Sequence, residues 1–210
     1  MRYIFGIDSR RGGINVLDFD YVKEIRKICD DNDILMIIDE VQTGNGRTGK
    51  LYAYQHYEIM PDIMTTAKGL GNGLPISCTL FNDKVKDVLT PGTHGCTFGG
   101  NPIICAGAIA CLEQMTPNFL ANVEKKGKYL KNKLLKLDGV LNVTGMGLML
   151  GVEVKCDYKR LVDTCFNNQL LVLTAKGKVR LLPPLNITFE EIDCGLEKFK
   201  ESLQTELNNM

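Results

Sequence analysis

The stretch from Leu35 to Lys50, LMIIDEVQTGNGRTGK, carries two patterns that are typical of phosphate-handling enzymes. LMIIDE is an apolar run that ends in two acids, which predicts a short buried strand with carboxylates at its carboxyl end. GNGRTGK, residues Gly44–Lys50, has the G-x-x-x-x-G-K spacing of a loop that holds phosphate. Together the two halves raise the question of whether the chain is a nucleotide hydrolase.

The order of the residues argues against a nucleotide hydrolase. A phosphate loop needs Ser or Thr after its lysine, because that hydroxyl holds Mg²⁺, but Leu51 follows Lys50. The acids also come directly before the loop, whereas in those enzymes the metal-binding strand comes later. A surface turn after a strand explains the glycines but not Asp39, which lies where α/β sheets bind ligands.

Composition places the chain among globular proteins and argues against several functions. Of 210 residues, 44% are hydrophobic and 24% charged, and Lys+Arg and Asp+Glu are 25 each. The zero net charge argues against a broad surface for nucleic acid, and no apolar run reaches the roughly 18 residues of a membrane span. Eight cysteines without a C-x-x-C pair and only two histidines indicate reduced thiols, a cytoplasmic location and no metal centre.

Local signals predict a larger α/β unit over residues 1–116. Asp18 is expected to cap a helix whose apolar positions recur at three and four. Asn101 and Pro102 predict the start of a second helix. The strands expected between the two helices are 34–38, 61–68 and 75–81. This arrangement favours an α/β sheet with covered faces.

A smaller α+β unit is expected over 117–210, joined to the first near Thr116. Its predicted elements are a long helix over 120–137, a strand pair over 140–154, a short helix over 157–168 and a hairpin over 170–184. Thr188 and Glu191 form a T-x-x-E capping box ahead of the last helix.

Lys68 ends the apolar stretch DIMTTAK and is followed by a glycine-rich turn. This pattern predicts a partly desolvated amine, and burial lowers the pKa of a lysine and makes it a nucleophile toward carbonyls. Alone, such a lysine is more often an ordinary surface residue. With the strand-end Asp39 it forms a pair that suits pyridoxal phosphate, because an aspartate can hold the pyridinium proton while a lysine bonds to the cofactor.

Three long motifs, in order and spacing, resemble the class III (ornithine and acetylornithine type) pyridoxal-phosphate aminotransferases. They are LMIIDEVQTGNGRTGKLYAYQHYEIMPDIMTTAKGLGNGLPI, PGTHGCTFGGNPIICAGAIACLE and VRLLPPLNIT. The resemblance runs from Gly12 to the C-terminus and is closest to the acetylornithine type. It implies the carboxyl-terminal part of a fold type I (aspartate aminotransferase-like) α/β large domain, a small α+β carboxyl-terminal domain, the cofactor pyridoxal 5′-phosphate, and a homodimer at full length.

The resemblance also implies which residues hold the cofactor. Asp39 would pair with the pyridine nitrogen, Val41 would pack on the ring, and Gln42 would reach the phenolic oxygen. Lys68 would bond covalently to the cofactor and, once released, would move the substrate proton. Thr97 would contact the phosphate across a dimer interface.

Arg180 is implied to bind a substrate carboxylate as a fork, although nothing local distinguishes it from a surface arginine on a strand. The implied reaction moves an amino group from N-acetylornithine or ornithine to 2-oxoglutarate, as in arginine biosynthesis. A 4-aminobutyrate or other ω-amino acid aminotransferase and a non-catalytic fragment are the alternatives. No nucleic acid or membrane partner is expected.

The chain departs from the family at its start. The family has a longer amino-terminal part with a glycine-rich phosphate cradle, an aromatic residue on the ring and a further substrate arginine. We therefore expect a truncated, catalytically impaired chain that corresponds to the carboxyl-terminal half. The family usually reads EPIQGEGGINV where this chain has GIDSRRGGINV, so the match begins at Gly12 and Arg11 stands where the family usually has Glu. Residues 1–11 are therefore expected to be foreign sequence, which a frameshift, an alternative start or a gene-model error would explain.

Overall fold

A computed structural model describes residues 13–210 and the backbone of residues 2–6. The chain divides into two compact units. The first contains residues 2–6 and 17–120, and the second contains 13–16 and 121–210. Arg11 lies outside the described residues, so the expectation about that position stays a prediction.

The first unit holds a four-stranded mixed sheet. Its elements are β1 (Arg2–Gly6), α1 (Phe19–Asp31), β2 (Leu35–Asp39), β3 (Ile63–Thr66), β4 (Cys78–Phe81) and α2 (Pro102–Glu113), with short 3₁₀ helices at Ala53–Tyr57 and Lys68–Leu70. The strands lie in the order β1-β2-β3-β4, and β4 alone runs antiparallel to its neighbour. The α/β class predicted from the sequence is therefore observed.

A buried carboxylate ties α1 to two strands of this sheet. The Oδ2 atom of Asp62 accepts hydrogen bonds from the N–H of Met36, at 2.7 Å, and from Arg26 of α1, at 2.9 Å. The side chain of Asp62 is only 5% exposed, so its charge is stabilised by these donors rather than by water. Asp18 caps α1 as predicted, because its side chain accepts from the N–H of Tyr21.

The expected covering of both sheet faces is not found among the described residues. Met36 and Ile38 of β2 are buried, but their neighbours on the other face are only half-buried, and all four residues of β4 are exposed. Helix α2 is apolar on all sides, yet Ala108 is its only buried residue and Ile103 is 77% exposed. A helix of this composition is normally buried.

Among the described residues no single helix is long and apolar enough to cross a membrane. Helix α2 and the helix that follows it, Pro117–Leu134, satisfy that requirement only as a pair, and the pair is bent by 70° at the break between them.

The second unit is an antiparallel sheet with helices. Its elements are α3 (Pro117–Leu134), β5 (Val140–Met146), β6 (Met149–Val154), α4 (Tyr158–Asn167), β7 (Leu173–Ala175), β8 (Lys178–Leu181) and α5 (Phe189–Asn208). The strand order is β5-β6-β8-β7. The capping box at Thr188 and Glu191 is present, and α5 buries Ile192, Leu196 and Phe199.

The boundary between the units falls inside α3, after Leu120, and not at its start near Thr116. Residues 13–16 also belong to the second unit. Ile14 is buried, and the side chain of Asn15 accepts a hydrogen bond from Lys178 at 3.1 Å. A short segment ahead of α1 therefore packs with strands that lie far later in the chain.

Candidate active site

Asp39 and Lys68 lie at the same edge of the first sheet. Asp39 ends β2 and is paired in register with Thr65 of the parallel strand β3. Lys68 begins the 3₁₀ turn that follows β3. Because ligands of α/β sheets bind outside the carboxyl ends of the strands, the fold places two of the predicted site residues where such a ligand would lie.

The carboxylate of Asp39 is exposed but oriented. Its Oδ1 atom accepts hydrogen bonds from the N–H of Val41, at 2.9 Å, and from the hydroxyl of Thr65, at 3.2 Å. Within the described residues no hydrogen bond reaches Oδ2. One oxygen therefore fixes the direction of the group, and the other remains able to accept a proton-bearing ring nitrogen.

Lys68 is exposed, because it lies on the turn beyond β3 rather than within the strand. The partial desolvation expected of its amine stays a prediction. Its φ of 46° is uncommon for a residue with a side chain. Backbone strain of this kind concentrates at functional sites, where the surrounding structure must maintain it.

The turn at Gly44–Lys50 does not form a phosphate loop. Four of its N–H groups bond to nearby carbonyls: Arg47 donates to Gly44 and Gly49 to Gly46, while Gly44 and Gly46 donate to the flanking residues Glu40 and Leu51. Those N–H groups are not available to cradle phosphate, and the segment is followed by a 3₁₀ helix rather than an α-helix. Most of this turn is buried, so the alternative of a surface turn is also wrong.

Glu40 fixes the geometry of this turn, and sequence reasoning missed it. Its carboxylate accepts hydrogen bonds from the hydroxyl of Thr43 and from the N–H of Tyr54, the latter at 2.8 Å. The residue is fully buried, and burial raises the pKa of Glu40. The available signal was the alternation of a strand, which turns Glu40 inward when Asp39 faces solvent.

The remaining cofactor residues occupy two environments. Val41 and Gln42 are half-buried and follow Asp39 directly, at the same sheet edge. Thr97 lies in the segment 91–100, which is exposed throughout. The cofactor contacts expected of these three residues stay predictions.

Arg180 lies on β8 in the second unit, between Gly151 of β6 and Leu173 of β7. It is half-buried, and its Nε atom is buried without a hydrogen-bond partner among the described residues. An unpaired buried donor is costly. A planar guanidinium with a spare donor suits a carboxylate that binds from outside the chain.

Solved structures that match this fold include aminotransferases. The ornithine aminotransferase of Toxoplasma gondii, in a crystal with partial occupancy of PLP at the active site, matches with a TM-score of 0.90 and 34% identity, over 98% of this chain and 51% of that chain. The N-acetylornithine aminotransferase of Stenotrophomonas maltophilia matches with a TM-score of 0.90 and 30% identity, over 100% of this chain and 57% of that chain. The fold is that of the PLP-dependent aminotransferases of fold type I.

Sequence comparison identifies the family within this fold to which the chain belongs. The acetylornithine aminotransferase of Clostridium acetobutylicum is 48% identical over 200 residues, which are 92% of this chain and 52% of that protein. The enzyme of the same name from Haemophilus ducreyi is 47% identical over 195 residues. The profile of the family described as aminotransferase class-III matches residues 9–203, and the chain belongs to that family. It spans about half the length of the relatives that it matches.

The residues at the sheet edge fit the cofactor of this family, which is pyridoxal phosphate. Oδ2 of Asp39 is an oriented acceptor with spare capacity, as a protonated pyridine nitrogen requires. Lys68 offers an exposed primary amine on the neighbouring strand end.

Proposed function

We propose that this chain carries the lysine and aspartate of a pyridoxal-phosphate-dependent aminotransferase that acts in the cytoplasm and works as a homodimer. The observation that carries the proposal is the placement of Asp39 at the end of β2 and of Lys68 on the turn just after the parallel strand β3. Among the described residues, one carboxylate oxygen of Asp39 accepts no hydrogen bond. All eight cysteines are free thiols, which supports a reducing compartment.

Each residue contributes a separate task. When bound, pyridoxal phosphate supplies an electron sink for a substrate carbanion. Oδ2 of Asp39 keeps a proton on the ring nitrogen, and Val41 and Thr65 hold the carboxylate in place. Nζ of Lys68 would hold the cofactor covalently, and once the substrate amino group has replaced it there, the released amine would take and return the proton of the substrate carbon that bears the amino group. Val41 and Gln42 contact the ring, and Thr97 contacts the phosphate from the partner subunit.

The proposed substrates are N-acetylornithine or ornithine as amino donor and 2-oxoglutarate as acceptor. The names of the relatives, acetylornithine aminotransferases at 47–48% identity, support this choice. Nε of Arg180 is buried and has no hydrogen-bond partner in the part of the chain that the structure describes, which supports a role in binding a substrate carboxylate. A fork of two parallel N–H bonds from guanidinium to carboxylate also fixes the orientation of the substrate.

The test is covalent labelling of the purified chain. Pyridoxal phosphate is added, the adduct is reduced with borohydride, and labelled lysines are identified by peptide mass spectrometry. We expect labelling to concentrate on Lys68 and to disappear in Lys68→Ala. Stability should hardly change in that variant, since the side chain is exposed.

Lys50 provides the matched control. It is also exposed and lies in the same unit, so Lys50→Ala should leave the labelling of Lys68 intact. Equal labelling of both lysines in the parent chain, or no labelling of Lys68, contradicts the proposal.

A further inference from the structure

The side chain of Asn45 connects the two segments of the candidate site. Its Nδ2 donates hydrogen bonds to the hydroxyl of Thr66, at 2.9 Å, and to the carbonyl of Ala67, at 3.1 Å. Asn45 follows the strand that carries Asp39, whereas Thr66 and Ala67 immediately precede Lys68. One amide group therefore links the turn after Asp39 to the backbone from which the lysine projects.

The direction of this amide is fixed by its surroundings. The carbonyl of Ala67 can only accept hydrogen bonds, so an exchanged amide would place two oxygens against each other. The same carbonyl also accepts the N–H of Leu70 at 3.0 Å, which closes the 3₁₀ turn begun by Lys68. Asn45 therefore bonds to the atom that anchors this turn.

The backbone conformation of the turn that contains residue 45 does not require an asparagine side chain there. Asn45 and Gly46 both have positive φ, 55° and 85°, and Arg47 donates to the carbonyl of Gly44, as in a type I′ turn. Glycine satisfies that backbone equally well. The amide is also costly, because the residue is 4% exposed and its Oδ1 atom has no hydrogen-bond partner among the described residues.

We propose that Asn45 is a positioning residue for Lys68, which it holds in its left-handed backbone conformation through Thr66 and Ala67. This inference rests on the proposed function of Lys68. Space supports the same contact, because a Cβ added at Gly69 would lie 3.1 Å from Cβ of Asn45. The side chain of Asn45 thus fits directly against the turn that it bonds.

Two variants separate the effect of the side-chain amide from the effect of the turn's backbone conformation. Asn45→Gly keeps the positive φ and removes both donor bonds. Asn45→Asp keeps the size of the side chain but replaces the donor nitrogen by oxygen, opposite the Ala67 carbonyl. Asn82→Ala is the matched control, since the side-chain amide of Asn82 donates a hydrogen bond of 2.9 Å to Asp62 in the same unit.

The first measurement is amide hydrogen exchange of the chain without cofactor. The amides of Leu70 and Gly71 report the turn directly, since they donate to Ala67 and Lys68. We expect Asn45→Gly and Asn45→Asp to speed exchange at these amides about fivefold or more, the effect of losing an ordinary hydrogen bond. Asn82→Ala should leave them unchanged relative to the rest of the unit. Parent-like exchange in Asn45→Gly, or equal acceleration in Asn82→Ala, overturns the inference.

The second measurement is the ratio of Lys68 to Lys50 labelling by pyridoxal phosphate and borohydride. Both Asn45 variants should lower this ratio several-fold, while Asn82→Ala preserves it. An unchanged ratio in the Asn45 variants overturns the positioning role, even if exchange is faster. If Lys68 is not labelled in the parent chain, the proposed function fails, and the exchange data alone decide whether Asn45 holds the turn.

Discussion

Glu40 gives the first unit a stability that falls as pH rises. Burial raises its pKa above the unfolded value of 4.5, despite the hydrogen bonds from Thr43 and Tyr54. The folded state therefore binds the proton more tightly, and stability declines as pH rises from 4.5 through the folded pKa. We expect Glu40→Gln to remove this decline. The free energy of unfolding of the first unit is measured by urea unfolding at a series of pH values, with hydrogen exchange of β2 peptides as the readout. If its slope against pH in Glu40→Gln equals that of the parent, the prediction is contradicted.

Asp62 has the opposite dependence on pH. Burial acts to raise its pKa, but the bonds from the Met36 N–H, Arg26 and Asn82 outweigh burial and lower it below the unfolded 3.8. Its contribution to stability is present above pH 3.8 and is lost as pH falls through the folded pKa.

Replacing Asp62 tests how strongly the ion pair between Asp62 and Arg26 stabilises the first unit. Asp62→Asn should cost roughly 3 kcal/mol near neutral pH, the low end for breaking a buried ion pair, because Asp30 still bonds Arg26. The free energy of unfolding measures the effect. Asp83→Asn is the control, since Asp83 pairs with Lys86 at the surface. If Asp62→Asn lowers the free energy of unfolding no more than Asp83→Asn does, the prediction is contradicted.

Two helical glycines of the second unit should respond oppositely to alanine. A Cβ at Gly127 of α3 would lie 2.1 Å from the carbonyl oxygen of Gly147, so Gly127→Ala should destabilise by about 1–3 kcal/mol through overpacking. At Gly195 of α5 the nearest atom would be Leu170 Cδ1 at 3.7 Å. Gly195→Ala should therefore stabilise by about 0.5–1 kcal/mol through helix propensity. The midpoint temperatures of thermal unfolding of both variants test this prediction. Equal shifts in the two midpoints would show that Gly127 and Gly147 do not approach closely in solution.

Helix α2 should make the chain self-associate. Ile103 and Ile109 are 77% and 57% exposed on a helix that is apolar on all sides, and contiguous apolar patches drive association. We expect the sedimentation coefficient to rise with concentration and the double variant Ile103→Lys/Ile109→Lys to suppress that rise. Leu171→Lys, at an 82% exposed leucine of the second unit, controls for the added charge. Association that survives the double variant would assign it to another surface.

Local chemistry made much of the fold predictable from the sequence. Asp18, Asn101 and Thr188 cap their helices as expected, because a cap depends on residues within one turn. The exposure of Lys68 and α2 was not predictable, since it depends on what packs against them. Asn45 was missed for the same reason: its partners lie about twenty residues away and meet it only after β2 and β3 pair.

The segment at residues 13–16 has a consequence for the order of folding. It is made long before residues 121–210 of the second unit, yet Asn15 bonds to Lys178, 163 residues later. Contacts of such long range close large loops and slow folding. During synthesis this segment emerges before residues 17–120 of the first unit, and the strands with which it packs emerge only after them. A chain that begins at residue 117 would contain every helix and strand of the second unit but would leave uncovered the place where Ile14 is buried.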